Sequence, residues 1–502
     1  MLLVSLVVTC LAFAQAQNPI GLKASASVRG LQFGTAASID HLRNNVDGGQ
    51  FNPYVIKNYH LIEPENDLKP QKLWRGENNY DWVDSDWLLG ATPDTVGWAQ
   101  QNGMQIRGHT LVWATDNTIP HWLLQQESSI TPDKAKSLMS DYIHAVVGRY
   151  RGKIPSWDVV NEAVDDAQNN GHPFNMRNCF WFRKLGQDFV KYAFMFAHQA
   201  DPQARLYYND YNTEDMGSKS NSAFELVKWV RSEGVAIHGV GMQWHIGLWA
   251  TVNPGDQYYQ NAQRLIDNGF DFMVTELDIA IPMNGNHPRD LNDLHKQGLL
   301  YRALLKYVLH FSPRCHALIT WGFTDRYSWI PAFSDYLNGV ALPSDWNYQP
   351  KYAYWQMQEE LGRILPDGIY RLSVSSRPGS RLDTYDMGET GGVQIYIGGG
   401  DAANQKWELI WQGDGTYRLS PQSSRGRALD CYDETGTPGG IQTYNWWGGA
   451  NQEWILSPLG GSTFRVGLRS VWWRALTVHG TSSVGLADYI NSGDQQWVFT
   501  NV

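Results

Sequence analysis

A chain of 502 residues is too long for one ordinary hydrophobic core, so two or three domains are expected, fewer if one is a barrel. Its 50 acidic residues outnumber 40 basic ones, and a net charge of -10 argues against nucleic acid or an anionic membrane surface as partner. The 23 tryptophans, within an aromatic content of 13%, instead suit a neutral partner with flat apolar faces, as sugar rings have.

Residues 1–16 are an apolar run ending in Ala14-Gln15-Ala16, the small-x-small form of a secretory cleavage site and too short for a membrane anchor. We therefore expect a signal peptide and a secreted, soluble, monomeric protein. Cleavage would remove Cys10 and leave Cys179, Cys315 and Cys431, an odd number that argues against a disulfide framework while leaving free thiols or a single pair open. No CxxC or HExxH spacing is present, so no metal and no cofactor are expected.

From Gly30 onward, β-rich runs alternate with helical stretches, the pattern of βα units around a parallel sheet. Eight runs lie at Leu31 to Ala36, Asn58 to Glu65, Met104 to Trp113, Ser156 to Glu162, Arg205 to Asn212, Ile237 to His245, Phe270 to Asp278 and Ala317 to Thr324. Helices are expected between them at Pro132 to Arg149, with Thr131 as N-cap, and at Trp181 to Gln199, Ser220 to Glu233, Asp256 to Asn268 and Leu294 to Phe311. The expectation is an α/β domain, a (β/α)₈ barrel over residues 17–366.

Seven of the eight runs end in residues that a core would not select: Glu65 and Asn66, His109, Asn161 and Glu162, Asn209 to Asn212, Gln243 and His245, Glu276 and Asp278, then Trp321 with Asp325. A parallel barrel puts all these ends on one face, where such barrels build active sites from several strands. Glu162 and Glu276 close two apolar runs. Two carboxyl groups brought together there could divide acid/base and nucleophile roles, the chemistry of most glycoside hydrolysis. The acid must then be held protonated near neutral pH and the nucleophile supported by hydrogen bonds. His245 is a candidate donor to the nucleophile, with Asp278 fixing its tautomer.

After Leu365-Pro366-Asp367-Gly368 the chain turns glycine-rich and repetitive. Gln405-Lys406-Trp407, Gln452-Glu453-Trp454 and Gln495-Gln496-Trp497 recur 47 and 43 residues apart, each after a phrase such as Gly368-Ile369-Tyr370-Arg371-Leu372. Units this small cannot bury an apolar face alone, so three all-β repeats packed about a pseudo-threefold axis are expected over 367–502, with the QxW glutamines and tryptophans structural.

These motifs resemble glycoside hydrolase family 10 xylanases over roughly residues 28 to 364. The resemblance rests on Glu65-Asn66 with Lys69, Gly108-His109-Thr110-Leu111-Val112-Trp113, Trp157-Asp158-Val159-Val160-Asn161-Glu162-Ala163, Tyr208-Asn209-Asp210-Tyr211-Asn212, Gly239 to His245, Thr275-Glu276-Leu277-Asp278 and Trp321 to Trp329. It implies a (β/α)₈ barrel that cuts β-1,4-xylan internally with retention, with xylan and xylo-oligosaccharides as partners. It gives Glu162 the acid/base role and Glu276 the nucleophile role. Asn161 would hold the sugar 2-hydroxyl, Gln243 would neighbour the acid/base, and His245 with Asp278 would serve the nucleophile. Glu65, Asn66, Lys69, His109 and Trp113 match glycone-side residues, Trp321 and Trp329 match rings closing over the sugar, and Tyr211 and Asn212 match aglycone contacts. The chain departs from the family pattern at Ala114-Thr115-Asp116, Pro70 and Arg326, around the glycone side.

The C-terminal repeats resemble a ricin-type β-trefoil lectin, a carbohydrate-binding module of family 13. By that resemblance repeat one would bind sugar through Asp383, Gln394, Tyr396, Asn404 and Gln405, and repeat two through Asp430, Gln442, Tyr444, Asn451 and Gln452. Repeat three reads Leu476-Thr477-Val478, with Asp494 in place of the asparagine, and would bind none. Two alternatives remain: an endo-glucanase or mixed enzyme, whose substrate carries an extra hydroxymethyl group per ring, and a lectin whose barrel has no chemistry.

Overall fold

The computed structural model describes residues 21–502, apart from 93, 168, 286, 291, 363, 386–389, 399–400, 413–415, 437, 461 and 472–473. The expected signal peptide lies outside the described residues. Eight strands form a closed parallel sheet: β1 (Gln32–Ala37), β2 (Leu61–Pro64), β3 (Gln105–Gly108), β4 (Ser156–Asn161), β5 (Arg205–Asp210), β6 (Gly239–Met242), β7 (Asp271–Asn284) and β8 (Cys315–Thr320). Each pairs with the next, and β8 returns to β1. The expected runs coincide with these strands to within a few residues. Asn58 is a correction, because it ends the helix Phe51–Asn58. The third run is interrupted as well: β3 stops at Gly108, and Val112–Trp113 pairs separately with β4.

The helix Pro132–Arg149 has the expected bounds, and Thr131 accepts a hydrogen bond from the Lys134 N–H at 3.2 Å. The stretch Trp181 to Gln199 is two helices, Phe180–Leu185 and Asp188–Ala200, separated at Gly186, whose φ of +62° a helix cannot hold. The main core lies between sheet and helices. Inside the barrel a small apolar floor of Leu61, Tyr207, Met273, Ala317 and Ile319 supports what lies above it.

Twelve further strands build the C-terminal domain, four to a repeat: β9 (Gly368–Val374) to β12 (Trp407–Trp411), β13 (Tyr417–Pro421) to β16 (Trp454–Gly460), and β17 (Thr463–Leu468) to β20 (Gln496–Asn501). The second and third strands of each repeat make a hairpin: β10 (Ser380–Tyr385) with β11 (Gly391–Ile397), β14 (Arg427–Cys431) with β15 (Ile441–Asn445), and β18 (Arg474–His479) with β19 (Ser483–Asp488). Trp407, Trp454 and Trp497 are fully buried in one core, and their indole N–H groups donate to the carbonyls of Leu382, Leu429 and Leu476 at 2.8, 2.9 and 2.8 Å. Each QxW tryptophan thus anchors its repeat's hairpin by the same bond, as the repeat predicts. Cys179, Cys315 and Cys431 are all buried and free.

Candidate active site

The C-terminal ends of the barrel strands bring Glu162 and Glu276 into one hydrogen-bonded network. Glu162 follows β4 with φ +55°, a left-handed conformation that costs a non-glycine residue about 1–3 kcal/mol and is concentrated at functional sites. Its carboxylate accepts from Gln243 Nε2 at 3.0 Å, Asn161 Nδ2 at 3.2 Å and Trp113 Nε1 at 2.9 Å. Glu276, on β7, accepts from Asn209 Nδ2 at 2.7 Å and faces His245 Nε2 at 3.2 Å. His245 Nδ1 lies 2.9 Å from Asp278 Oδ2, which also accepts from Trp329 Nε1 at 2.8 Å. His245 and Asp278 are partners in the strand register, which fixes that contact through the backbone.

Two amides connect the carboxylates. Asn161 and Asn209 are register partners on β4 and β5, and Asn209 Nδ2 donates both to Asn161 Oδ1 at 2.8 Å and to Glu276. Thr275 Oγ1 donates to Asn209 Oδ1 at 2.7 Å and fixes the amide's orientation. Gly241 leaves the necessary room, since a Cβ there would come within 2.3 Å of Asn209 Oδ1. Sequence reasoning quoted Asn209 within a motif but missed its role. The available signal was its position one strand over from Asn161.

Charge and hydrogen bonds set the state of Glu276. Burial alone would raise the Glu276 carboxyl, but hydrogen bonds and charge from His245, with His109 and Asn209, outweigh it and hold Glu276 below the usual carboxylate range. Burial likewise opposes charge on His245, yet Asp278 and Glu276 carry it well above the ordinary imidazole value. The result is a carboxylate kept ionised by an imidazolium that two acids share.

The glycone-side candidates gather around the same network. Lys69 Nζ donates to Asn66 Oδ1 at 2.9 Å and sits 4.8 and 5.6 Å from the ring centres of Trp113 and Trp321. Burial lowers its pKa, and Glu276, Glu65 and Glu162 oppose that shift; burial raises Glu65 against Lys69. The Trp321 ring stands edge-on to His109 at 5.4 Å and to His245 at 6.4 Å. Tyr211 is set apart: Arg177 Nη2 donates to its hydroxyl at 2.5 Å, its own O–H donates to Asp166, and Lys219 Nζ lies 3.3 Å from its ring centre. Asn212 stands exposed beside it at φ +54°. Among the departures, Pro70 opens the short helix Pro70–Leu73, Asp116 accepts from the Phe180 N–H at 2.7 Å, and Arg326 pairs with Asp47 at 3.0 Å.

Below the site lies a charged layer that the sequence reading did not find. Fully buried Arg107 bonds Asp158 and approaches Glu63 to 3.7 Å, over the Tyr207 ring of the barrel floor. His109 Nδ1 lies 3.1 Å from Asp158 Oδ2 and 3.2 Å from Glu63 Oε1. Burial and the neighbouring Asp158 raise the Glu63 carboxyl, whereas Arg107 and His109 overcome the burial of Asp158 and hold it low. Glu63, His109 and Asp158 place ligand atoms within 4.8 Å of one another, a spacing a cation could use, but Arg107 already supplies the positive charge. The one signal was a glutamate directly after Leu61-Ile62, within the second β-rich run.

In the trefoil, Asp383 accepts from Gln394 at 3.3 Å, Asn404 at 2.9 Å and Gln405 at 3.0 Å. Asp430 accepts from Gln442 at 2.9 Å and Asn451 at 3.0 Å, with Tyr396 and Tyr444 exposed nearby on the hairpins. Gln452 is a correction: it is fully buried, accepting from the Trp447 N–H at 3.0 Å and donating to the Asn445 carbonyl at 2.9 Å. It ties a loop, the structural role read from the QxW repeat rather than the sugar contact the resemblance implied. In repeat three, Gln495 ties its loop in the same way, Thr477 stands at the aspartate position, and Asp494 accepts from Ser376 of repeat one at 2.5 Å.

A model of glycosyl hydrolase family 10 matches residues 21–360, and a model of the ricin-type beta-trefoil lectin domain-like family matches 403–488. Endo-1,4-beta-xylanase B of Thermotoga neapolitana is 32% identical over 357 residues, 71% of this chain and 96% of that protein. The beta-1,4-xylanase of Dictyoglomus thermophilum is 32% identical over 336 residues, 65% of this chain and 87% of that protein. Among solved structures, xylanase 10B of Thermotoga petrophila RKU-1 in complex with xylobiose matches with a TM-score of 0.61 at 30% identity, covering 68% of this chain and 97% of that one.

Proposed function

Because the chain belongs to glycosyl hydrolase family 10, we propose that it is a secreted endo-β-1,4-xylanase that retains anomeric configuration and is held on its polysaccharide by the trefoil. One observation carries this reading: Glu276 is held ionised by the His245–Asp278 pair and Asn209, while Glu162 sits under separate donors from Gln243, Asn161 and Trp113. Glu276 attacks the anomeric carbon as Glu162 gives its proton to the departing glycosidic oxygen. Glu162, now a carboxylate, takes a proton from water. That water attacks the same carbon from the vacated side, releases Glu276 and leaves the configuration as it began.

In this reading Asn161 bonds the 2-hydroxyl, an interaction that strengthens at the oxocarbenium-like transition state. Glu65, Asn66, Lys69 and His109 hold the glycone ring, Trp113, Trp321 and Trp329 enclose it, and Tyr211 with Asn212 meets the aglycone. The trefoil raises the local concentration of substrate by tethering. The test follows the first-formed products from xylan and from soluble cellulose by NMR, with Glu276→Ala as control. β-Anomers from xylan and an inert control are expected; α-anomers would refute retention, and cellulose cut as fast as xylan would refute the substrate.

A further inference from the structure

The three trefoil hairpins meet around the pseudo-threefold axis and leave between them an open depression of about 360 Å³, at the small end of the size range of small-ligand sites. Its walls come from all three repeats and are locked by backbone pairing. Gly391 and Gly392 of β11 pair with Thr443 and Gln442 of β15. The Ile395 N–H donates to the Ser482 carbonyl at 2.8 Å, and the Gly439 N–H donates to the Val484 carbonyl at 3.2 Å. A site framed this way is formed before any ligand arrives.

Two aromatic rings flank it. Tyr385 and Tyr432, 51% and 61% exposed, occupy the same place in their repeats, two residues beyond Asp383 and Asp430. Each ring is held. A Cβ on Gly392 would fall 2.5 Å from the Tyr385 ring, so this ring lies against bare backbone. The Tyr432 hydroxyl donates to the Gly439 carbonyl at 2.6 Å. A large ring that is fixed yet exposed offers a platform to an apolar face without losing much freedom on binding. In repeat three the equivalent residue is His479, and that side of the depression is lined by Ser482 and Ser483.

Among the described residues the rest of the lining is uncharged, with Val393 and Ile441 apolar and the side chains of Gln394, Gln442, Ser482 and Ser483 polar. Gln394 and Gln442 each spend an amide hydrogen on Asp383 or Asp430, and among the described residues their side-chain carbonyls accept nothing. The Ser482 and Ser483 hydroxyls likewise have no described hydrogen-bond partner, so acceptors and donors stand between the two rings. Rings with neutral hydrogen-bonding groups suit a sugar ring, and among the described lining residues there is no cation to favour a phosphate or carboxylate.

We propose that this axial depression is a further sugar-binding site, taking one neutral pyranose unit such as a xylose residue at a xylan chain end. It shares Gln394 and Gln442 with the sites at Asp383 and Asp430, but each of those belongs to one repeat and this one exists only where three meet. It rests on the reading of the trefoil as a xylan-holding module.

The test measures retardation of the full chain in gels containing soluble xylan, with Glu276→Gln throughout to stop turnover. Asp383→Ala with Asp430→Ala removes the single-repeat sites, and some trefoil-dependent retention is expected to survive. In that background Tyr385→Ala with Tyr432→Ala removes the platforms, while Ser483→Trp fills the depression from the third side. Each is expected to weaken the remaining retention on the order of ten-fold, with thermal melting confirming that each variant folds. The Ser483→Trp variant keeps the test open if the tyrosine pair does not fold. If both folded variants are retained as well as their background, the axial site is refuted while tethering stands. If no trefoil substitution changes retention, tethering falls with it.

Discussion

The barrel and the trefoil are both built by repetition, yet they use it in opposite ways. Several of the eight βα units contribute to one site, with Glu162, Asn209, Gln243 and Glu276 arriving from four strands and depending on one another through shared hydrogen bonds. The first two trefoil repeats each carry their own cluster, an aspartate with its hairpin glutamine and loop asparagine, and these do not rely on each other. A site spread over a barrel fails as a unit. A site copied in each repeat can be lost singly, as the Thr477 repeat illustrates.

The largest test of that contrast is Glu276→Ala, expected to reduce kcat on xylan by roughly 10⁴-fold or more, since groups acting as a unit leave little when one is gone. Asn209→Ala removes a donor to the Glu276 carboxylate and, with it, the amide bridge between the two carboxylates. A fall of about 10²–10³ in kcat, comparable with losing one preorganised donor, is expected from steady-state kinetics. If the loss is under two-fold, the barrel site is less interdependent than its hydrogen bonds suggest.

Trp454→Ala deletes a fully buried ring from the trefoil core and is expected to lower that domain's stability by about 3–5 kcal/mol. Calorimetry should show it, while turnover of short xylo-oligosaccharides, which need no tether, stays as it was. A matching loss of turnover would mean that the two domains are one cooperative unit.

The ionic pair predicts a pH window. Glu276 is depressed, so its contribution to stability is present above the unfolded value of about 4.3 and is lost as pH falls through its folded value. His245 is raised, so its contribution is complete below about 6.5 and is lost as pH rises through its folded value. The melting temperatures of the parent and His245→Asn should therefore differ most between those two pH values. The acid limb of kcat/KM should also move to higher pH in the variant, because the burial of Glu276 is then less opposed. The smallest effect is expected from Asp430→Ala alone, which leaves repeat one able to hold xylan. Retention in a xylan gel should weaken by about ten-fold at most, with soluble-substrate kinetics unaltered.

Much of this was legible because strand-end residues in a parallel barrel announce themselves. Glu162, Glu276, His245 and Asp278 end apolar runs where packing would not select them, and the structure brings all four together. The buried Arg107 layer was not legible: Glu63 and Asp158 lie within β2 and β4, and only the closed sheet turns both inward onto one guanidinium. The Gln452 assignment went astray for a related reason. An amide beside a repeat's tryptophan has the right chemistry for a sugar, but its neighbours Asn445 and Trp447 are set by how the loop folds back.

The sequence by itself determined the two domain types, the eight strands, the threefold repeat and the residues offered at strand ends, since these follow from local periodicity and from polar residues in apolar runs. Tertiary structure alone decided which of those residues touch: that Asn209 bridges Asn161 to Glu276, that His245 stands between two acids, and that three hairpins enclose a depression on their axis. Such contacts join residues tens of positions apart, and their geometry comes from sheet closure and register, which no local pattern records.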